Sequence, residues 1–504
     1  MFRVDPKEAV LSHISASTGT MGTLGADAEA AVQAPVSPTL SHKLVSGCAQ
    51  LIEAVLLLTL GLGIYLFYLG GIDPVLYVPL SLGIVAAANI AFNVARTHRI
   101  AAYRTLFKQI LRVLGGWTGV FLLVVAGLFA FKAGDLVSRI WLGSWALSGG
   151  VALVFYRLTL RALVLDWSTK GRLRRRTVIV GGGPAAEALI GAIEKSATSD
   201  IDLIGLFDDR YDERSPEAVA GVKKLGKVAD LVEFARRARI DLVIVSMPLS
   251  AESRLLEMLG QLWVLPVDIR LSAHMSKLRF TDKTYSYVGD LPVFEMADRP
   301  ISDWNLVFKW VFDKLVALFA LVVLSPVMIG TAIAVKATSK GPVLFKQNRH
   351  GFNNELIAVY KFRSMYTDMS DAKASTLVTR NDPRVTPVGR IIRKTSIDEL
   401  PQLFNVLKGE LSIVGPRPHA LEAKAANRLY HDAVHGYFAR HKVKPGITGW
   451  AQINGWRGET DTVDKLMARV DHDLYYIENW SILLDLYILV MTPISLFTKN
   501  ENAF

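Results

Sequence analysis

The chain has 504 residues, 51% of them hydrophobic, and a formal net charge of +11 at pH 7. Its mean hydropathy of +0.30 is high for a soluble protein and indicates segments that lie in a bilayer. The single cysteine excludes an intrachain disulfide and a cluster of thiolate metal ligands. Residues 1–43 are rich in Ala, Ser, Thr and Gly and lack an apolar core, so we expect a disordered tail without a cleavable signal peptide.

Long apolar stretches follow the tail and predict a four-helix transmembrane bundle over residues 44–165. The predicted spans cover residues 46–69, 76–95, 115–131 and 138–156. Basic residues crowd the link between the second and third spans, and another basic group follows the fourth. By the positive-inside rule, we therefore expect both ends of the bundle to face the cytoplasm.

A short β-branched strand and a glycine loop open the region 172–280, which predicts a Rossmann-like α/β domain on the cytoplasmic side. Further strands are expected at residues 203–207 and 242–246, with helix-like segments between them, as in a parallel doubly wound sheet. The loop Gly181–Pro184 resembles the dinucleotide fingerprint but lacks its third glycine, and Pro184 removes one backbone donor. We therefore favour a role in packing or regulation, with nucleotide binding as the alternative.

The apolar segment 315–335 is long enough to span a membrane, but lysines flank it and bias both of its ends to the same face. Pro326 removes a helical hydrogen bond near its middle, and Ser325 can supply a partner for a freed backbone group. The sequence thus predicts a re-entrant membrane helix over 309–336 that enters the inner leaflet, breaks at Ser325-Pro326 and returns. The alternative is a fifth span with a proline kink, which would place residues 340–480 outside.

Two adjacent carboxylates, Asp398 and Glu399, lie at or near the predicted start of a helix that ends near Gly409. A helix N-terminus close to Arg393 and Arg417 would hold carboxylates ionised and would also accept a phosphate. Adjacent carboxylates with phosphate oxygens suit Mg²⁺, and an ionised Asp398 could attack phosphorus to give an aspartyl-phosphate intermediate. The alternative is a capped helix whose acidic pair serves only the helix dipole.

Residues 306–504 resemble the catalytic domain of the polyprenyl-phosphate hexose-1-phosphate transferases that have a single re-entrant membrane helix. The motifs that carry this resemblance are Ser325-Pro326, Lys361–Met365, Arg393–Gln402, Gly409–Pro418, Lys444–Gly449 and Asp473–Tyr476. The four spans and the Rossmann-like body resemble the long form of that family. We therefore expect a mainly α-helical catalytic domain over residues 300–504.

The resemblance implies a role for each of several polar residues. Asp398 is the expected nucleophile, Glu399 its Mg²⁺-linked partner, and Asp473 a further acidic residue of the catalytic site. Phosphate or nucleotide contacts are implied for a set of basic residues: Lys361, Arg363, Arg393, Arg417 and Arg457.

The reaction implied by the resemblance moves hexose-1-phosphate from a UDP-hexose to undecaprenyl phosphate with release of UMP, the first membrane step of exopolysaccharide or capsule synthesis. The segment Asn454–Thr460 looks most like members that use UDP-glucose, and galactose-1-phosphate transfer is the alternative. The expected setting is the bacterial inner membrane, with several spans, a cytoplasmic catalytic domain, a homodimer and no nucleic-acid partner. A non-catalytic nucleotide-sensing membrane scaffold is the alternative from another class of protein.

Overall fold

The computed structural model divides the chain into two compact units, residues 35–175 and residues 1–34 with 176–504. It describes residues 24–34, 39–98, 100–195, 200–210, 217–247, 252–272, 286–288, 291–369, 382–419, 421, 424–425, 428–434, 437–458 and 462–498. The larger unit contains a Rossmann-like domain and a second, mainly helical domain that carries the acidic pair.

The first described helix, α1 (Ala26–Gln33), lies inside the segment that was predicted to be disordered. Ala28 is fully buried and joins the apolar core of the Rossmann-like domain. Asp27 pairs with Lys223, and Glu29 accepts two hydrogen bonds from Arg237. The prediction of a disordered tail is therefore wrong for this helix, because a few small apolar residues are enough to dock it; residues 1–23 and 35–38 of the tail lie outside the described residues.

The smaller unit is a bundle of helices around an aromatic core. Its helices are α2 (His42–Leu69), α3 (Pro74–Val94), α4 (Ile100–Arg104), α5 (Leu106–Ala130) and α6 (Arg139–Thr169). All except the short α4 are long and apolar enough to cross a membrane. Trp141 and Trp145 donate to backbone carbonyls of α2 at 3.0 Å each. A Cβ at Gly61 would lie 2.4 Å from the Trp145 ring, so glycine allows these helices to approach closely.

An ionic cluster is buried in the same unit. Arg157, fully buried on α6, donates to both carboxylate oxygens of Glu53 on α2, at 2.8 and 2.7 Å. His98 Nε2 lies 2.7 Å from the same carboxylate. A charge inside an apolar bundle is stable only when it is paired, and here Glu53 provides the counter-charge of Arg157.

The Rossmann-like domain is an eight-stranded sheet with helices between its strands. Its elements are β1 (Arg175–Val180), α7 (Pro184–Lys195), β2 (Ile201–Phe207), β3 (Ala218–Val219), β4 (Val222–Gly226), α8 (Val228–Arg237), β5 (Leu242–Val245), α9 (Glu252–Leu262), β6 (Asp268–Ser272), β7 (Ser286–Val288) and β8 (Leu291–Ala297). The strand order is β3-β4-β2-β1-β5-β6-β8-β7, with parallel pairing of β1, β5 and β6. The predicted strands are present, but antiparallel β8 extends the sheet beyond the expected boundary at residue 280.

The glycine loop of this domain is hydrogen-bonded to an acidic side chain. Gly181 and Gly183 have positive φ angles of 95° and 82°, as a sharp turn into α7 requires. The amide of Gly182 donates to Asp208 Oδ2 at 2.7 Å. A carboxylate of the chain itself therefore satisfies a backbone donor that could otherwise bind a ligand phosphate.

The second domain of the larger unit combines helices with three two-stranded sheets. Its elements are α10 (Asp303–Thr338), β9 (Leu344–His350), β10 (Leu356–Phe362), α11 (Pro387–Lys394), α12 (Gln402–Lys408), β11 (Ser412–Val414), β12 (Lys424–Ala425), β13 (Arg428–Leu429), α13 (Tyr430–Ala433), β14 (Gly446–Thr448), α14 (Trp450–Ile453), α15 (Val463–Glu478) and α16 (Ile482–Thr498). The pairs β9–β10 and β12–β13 are antiparallel, and β11–β14 is parallel. Short 3₁₀ turns at Phe352–Asn354, Ile397–Glu399 and Tyr437–Lys442 connect these elements.

Helix α10 is the fifth helix that is long and apolar enough to span a membrane. It continues through Ser325 and Pro326, so the predicted break into two helices is absent from its backbone. The reason is local: Ser325 Oγ donates to the Val322 carbonyl at 2.8 Å, and this is the carbonyl that the ring of Pro326 leaves without an amide partner. The serine thus compensates for the proline within one continuous helix.

Candidate active site

The acidic pair lies on a strained turn between two short helices. Thr386 caps α11 by accepting from the Gly389 amide at 2.8 Å. Ser396 then adopts a left-handed conformation with φ 57°, and the 3₁₀ turn Ile397–Glu399 follows. Helix α12 begins only at Gln402, so the acidic pair precedes the helix and does not lie within its first turn. The turn leaves both acidic side chains available to neighbours other than their own backbone.

Glu399 is held by two cations from different elements. Lys361, near the end of β10, donates to Glu399 Oε1 at 2.8 Å. Arg417, from the loop after β11, donates to both oxygens, with an NH1–Oε2 distance of 3.0 Å. Burial alone would raise the pKa of Glu399, but the charges and hydrogen bonds of Arg417 and Lys361 lower that pKa well below its ordinary value. Glu399 is therefore a permanent anion that fixes both cations.

Asp398 has a different environment from its neighbour. The residue is only 8% exposed, and the structure shows no hydrogen bond to its carboxylate within the described residues. Burial raises the pKa of Asp398 to about 6, with Lys361 opposing the shift and Glu399 adding to it. This carboxylate is ionised at neutral pH, only weakly stabilised as an anion, and so suited to act as a nucleophile.

Three other predicted basic residues occupy distinct positions. Arg393, on the last turn of α11, contributes a charge that lowers the pKa of Asp398. Arg457 NH2 donates to Ser396 Oγ and so reaches the turn that carries the pair. Arg363 instead donates to the Val335 and Ser339 carbonyls, at 3.3 and 2.8 Å, at the end of α10. Arg363 thus caps the end of α10, because its guanidinium meets the free carbonyls of a helix end. Its contact with a phosphate stays a prediction.

Asp473 pairs with Arg440 rather than with the acidic pair. Arg440 Nε and NH2 donate to Asp473 Oδ2 at 3.0 and 2.6 Å, and both side chains are buried. Arg440 also donates to the backbone carbonyl of Arg417 at 2.7 Å. Asp473 therefore orients Arg440, and Arg440 holds the loop of Arg417 against Glu399. A direct catalytic role for Asp473 stays a prediction.

Two functional arginines were missed by the sequence reasoning. Arg349 on β9 donates to the Pro418 carbonyl, and burial with the nearby charge of Arg417 lowers the pKa of Arg349 to about 10. Arg440 lies in the 3₁₀ turn Tyr437–Lys442, next to two other basic residues. In the sequence both appear as ordinary members of basic runs, because the pattern does not show which groups each guanidinium contacts. The one available signal was the position of Arg440 shortly before the Lys444–Gly449 motif.

The acidic pair fits a Mg²⁺ ion that takes most of its ligands from elsewhere. In the part of the chain that the structure describes, no group of three or more His, Cys, Asp or Glu side chains could hold a metal. Magnesium commonly binds through one or two carboxylates together with substrate phosphate and water. The carboxylate of Asp398 has no hydrogen bond within the described residues and could bind the metal directly. Glu399 would first have to give up a hydrogen bond from Lys361 or Arg417.

Apolar helices together with a buried acidic pair among basic side chains are features of a membrane-associated enzyme of phosphate-group transfer. The sequence model of the bacterial sugar transferase family matches residues 304–499, and that of a CoA-binding domain matches residues 95–273. The UDP-glucose:undecaprenyl-phosphate glucose-1-phosphate transferase of Klebsiella pneumoniae is 37% identical over 400 residues, which cover 79% of this chain and 83% of that protein. The protein of the same name from Escherichia coli is 38% identical over 394 residues, covering 78% and 82%.

A shorter relative matches less than half of this chain. The exopolysaccharide production protein PSS of Rhizobium leguminosarum is 48% identical over 198 residues, which cover 39% of this chain and 99% of that protein. The chain belongs to the polyprenyl-phosphate hexose-1-phosphate transferase family and is a phosphotransferase. The resemblance drawn from its motifs is confirmed.

Proposed function

We propose that this chain transfers glucose-1-phosphate from UDP-glucose to undecaprenyl phosphate, giving undecaprenyl-diphosphate-glucose and UMP. The substrates are those for which its relatives from Klebsiella pneumoniae and Escherichia coli are named. The observation that supports this chemistry is the carboxylate of Asp398, which has no hydrogen bond within the described residues. Burial raises its pKa to about 6, and Glu399 orders two cations beside it. A product of this kind begins the lipid-linked synthesis of an exopolysaccharide or capsule.

The reaction is two successive displacements at one phosphorus. A carboxylate oxygen of Asp398 attacks the sugar-linked phosphorus of UDP-glucose, and the bond to the UMP oxygen breaks as UMP leaves. A phosphate oxygen of undecaprenyl phosphate then attacks the same phosphorus and expels the Asp398 carboxylate. Each step forms one P–O bond and breaks another, so the enzyme returns to its starting state.

The cations around the pair neutralise the charge that develops on the transferred group. Lys361 and Arg417 are already oriented by Glu399, and Arg457 and Arg393 border the same turn. Donors fixed before the reaction stabilise a developing charge without reorganisation. A bound Mg²⁺, held by Asp398 and Glu399, would supply further neutralisation of the diphosphate.

A re-entrant path for α10 and a cytoplasmic position for the site in the inner membrane are part of the same proposal. Both ends of the helix contact the same domain: Lys309 donates to the Val414 carbonyl at 2.9 Å, and the Val335 carbonyl accepts from Arg363 at 3.3 Å. Between those two contacts, the helix exposes many apolar side chains. This arrangement would keep the lipid acceptor beside Asp398, where positioning can supply about 7–11 kcal/mol.

The function is tested by release of UMP from the purified full-length protein in lipid nanodiscs. The protein is incubated with Mg²⁺, undecaprenyl phosphate and, in separate reactions, UDP-glucose, UDP-galactose or UDP-N-acetylglucosamine. We expect UMP and a lipid-linked sugar to form fastest with UDP-glucose. A faster reaction with UDP-galactose would support the galactose alternative, and no UMP from any donor would support the non-catalytic scaffold.

The rate of the first displacement should depend on the ionisation of Asp398. The raised pKa of about 6 means that its carboxylate becomes protonated, and therefore non-nucleophilic, as the pH falls through that value. We expect kcat/KM for the donor to be level above pH 7 and to fall about tenfold per pH unit well below pH 6. The measurement is single-turnover UMP release without acceptor, which excludes titration of the lipid phosphate. A level profile down to pH 5 would contradict the prediction.

Replacing Pro326 should weaken membrane re-entry. The Pro326→Ala change restores an amide donor and removes the ring, which favours a straight helix by roughly 3 kcal/mol. In a Cys48→Ser background, single cysteines at positions 304 and 340 report which side of an inverted vesicle each end of α10 faces. We expect a fraction of Pro326→Ala molecules with the two ends on opposite sides, and none for Val327→Ala, an exposed neighbour that keeps the proline. Unchanged labelling in both variants would count against re-entry through a proline bend.

A further inference from the structure

The Rossmann-like domain contacts the catalytic domain at the C-terminal end of α8. Asn353 Nδ2 donates to the Ala235 carbonyl at 2.9 Å. The guanidinium of Arg236 lies 5.1 Å from the centre of the Phe438 ring. A third contact, from the segment after α9, places the Trp263 ring 4.1 Å from Lys442 Nζ. The residues that the catalytic domain contributes to these contacts all belong to two turns, Phe352–Asn354 and Tyr437–Lys442.

Asn354 joins the two turns to Arg236. In the orientation that satisfies both ends of its amide, the Asn354 oxygen accepts from Arg236 NH2 and Nε at 3.0 and 3.3 Å, and its nitrogen donates to His441 Nδ1. Burial, together with the charge of Arg440, lowers the pKa of His441 well below its ordinary value, so its imidazole is neutral and can accept. Arg236 thus reaches the Tyr437–Lys442 turn both through the Phe438 ring and through Asn354.

The same turn contacts the catalytic site with its other side chains. Arg440 donates to the backbone carbonyl of Arg417 at 2.7 Å, and its guanidinium lies 5.3 Å from the Tyr437 ring. Arg417 in turn donates to both oxygens of Glu399. One short turn therefore contacts the Rossmann-like domain on one side and fixes the cation that holds Glu399 on the other.

One relative is too short to contain both domains. The Rhizobium protein matches over 198 residues, which cover 99% of its length, whereas the two domains of this chain extend from Arg175 to Thr498. The contact at α8 is therefore not shared by every relative of this chain. In this chain the contact meets the Tyr437–Lys442 turn, which holds the Arg417 loop.

We propose that the Rossmann-like domain is a positioning platform for the catalytic site, and that Arg236 is its principal positioning residue. By fixing the Tyr437–Lys442 turn, Arg236 fixes Arg440, and Arg440 sets the position of Arg417 against Glu399 and the donor diphosphate. The proposal rests on the proposed transfer reaction, and it needs no ligand in the Rossmann-like domain.

The test compares neighbouring arginines on α8 in the full-length protein. Arg236→Ala should lower kcat/KM for UDP-glucose about tenfold, mainly through a higher KM, since Arg417 would be less well placed for the diphosphate. Arg237→Ala is the matched control, because Arg237 pairs with Glu29 within the Rossmann-like domain. Asn354→Ala should cause a loss similar to that of Arg236→Ala, and the double variant should lose little more.

A second comparison separates positioning from simple loss of stability. In an Arg417→Lys background, which keeps a charge and measurable activity, Arg236→Ala should have almost no further effect, because its influence passes through Arg417. An equal loss in both backgrounds, or a loss that follows a lower unfolding midpoint, would overturn the proposal, as would equal activity of Arg236→Ala and Arg237→Ala. Failure of the wild-type protein to release UMP would instead reject the transfer reaction itself.

Discussion

The Asp398→Asn substitution is expected to abolish transfer while leaving the protein folded. An amide has nearly the same shape as the carboxylate but cannot displace UMP from phosphorus, so the covalent step is lost. Removal of a nucleophile from an enzyme that acts through a covalent intermediate lowers turnover by roughly 10⁴-fold or more. The measurement is UMP release with UDP-glucose, with and without undecaprenyl phosphate.

The stability of this variant provides its control. Because burial raises the pKa of Asp398 from 3.8 to about 6, the folded state binds more protons than the unfolded state between those values. Protonation of Asp398 therefore contributes fully to the free energy of unfolding below pH 3.8, and this contribution is lost as the pH rises through about 6. Asparagine cannot ionise, so at pH 7.5 the variant should unfold at a midpoint roughly 2–4 °C higher than the wild type.

The covalent step has a direct readout. Donor carrying radioactive phosphorus next to glucose should label the wild-type protein when no acceptor is present, and the label should map to Asp398. Subsequent undecaprenyl phosphate should remove it. Turnover by the Asp398→Asn variant, or an active wild-type protein that never carries the label, would contradict the proposed mechanism.

The Asp473→Asn substitution should lower stability as well as activity. Asp473 and Arg440 are both buried, and a neutral amide leaves the guanidinium without its counter-charge. Removing one partner of a buried ion pair costs about 3–5 kcal/mol. The freed Arg440 would also hold the Arg417 loop less firmly, so the KM for the donor should rise. Unfolding midpoint and donor kinetics are measured on the same preparation.

The control for this substitution lies two residues away. Asp471 is on the same helix, α15, but its side chain is exposed, so Asp471→Asn should leave both the unfolding midpoint and the kinetics unchanged. Complete loss of turnover by Asp473→Asn with an unchanged unfolding midpoint would contradict the positioning role. That result would restore Asp473 as a residue that contacts the reacting groups.

The sequence was sufficient to predict the features that depend on local pattern. Hydropathy predicted the long helices, and the strand–glycine–helix rhythm predicted the parallel core of the Rossmann-like sheet. The motifs predicted Asp398, Glu399, Lys361 and Arg417 for one site. In the structure Lys361 and Arg417 donate hydrogen bonds to Glu399, and Asp398 precedes Glu399 on the same 3₁₀ turn. These features follow from periodicity or from short runs of residues that fold as units.

The features that the sequence did not predict depend on contacts between distant segments. Nothing near Asp473 in sequence shows that Arg440 is its partner. The contact of Arg363 with the end of α10 likewise depends on where that helix ends. Helix α1 was read as disordered because its partner lies on the Rossmann-like domain, far along the chain. Charge pattern predicts that a partner exists, but only the fold shows which partner it is.

The bond between Arg363 and the end of α10 has a consequence for the depth of the reaction. Lys361 and Arg363 are two residues apart at the end of β10, so the strand that supplies a cation to Glu399 is clamped to the apolar helix. The reacting carboxylates are thus kept at a constant height relative to that helix. We expect the phosphate of any acceptor lipid to lie at the membrane depth of these carboxylates. The enzyme would then select lipids by the depth of their phosphate more than by the length of their tail.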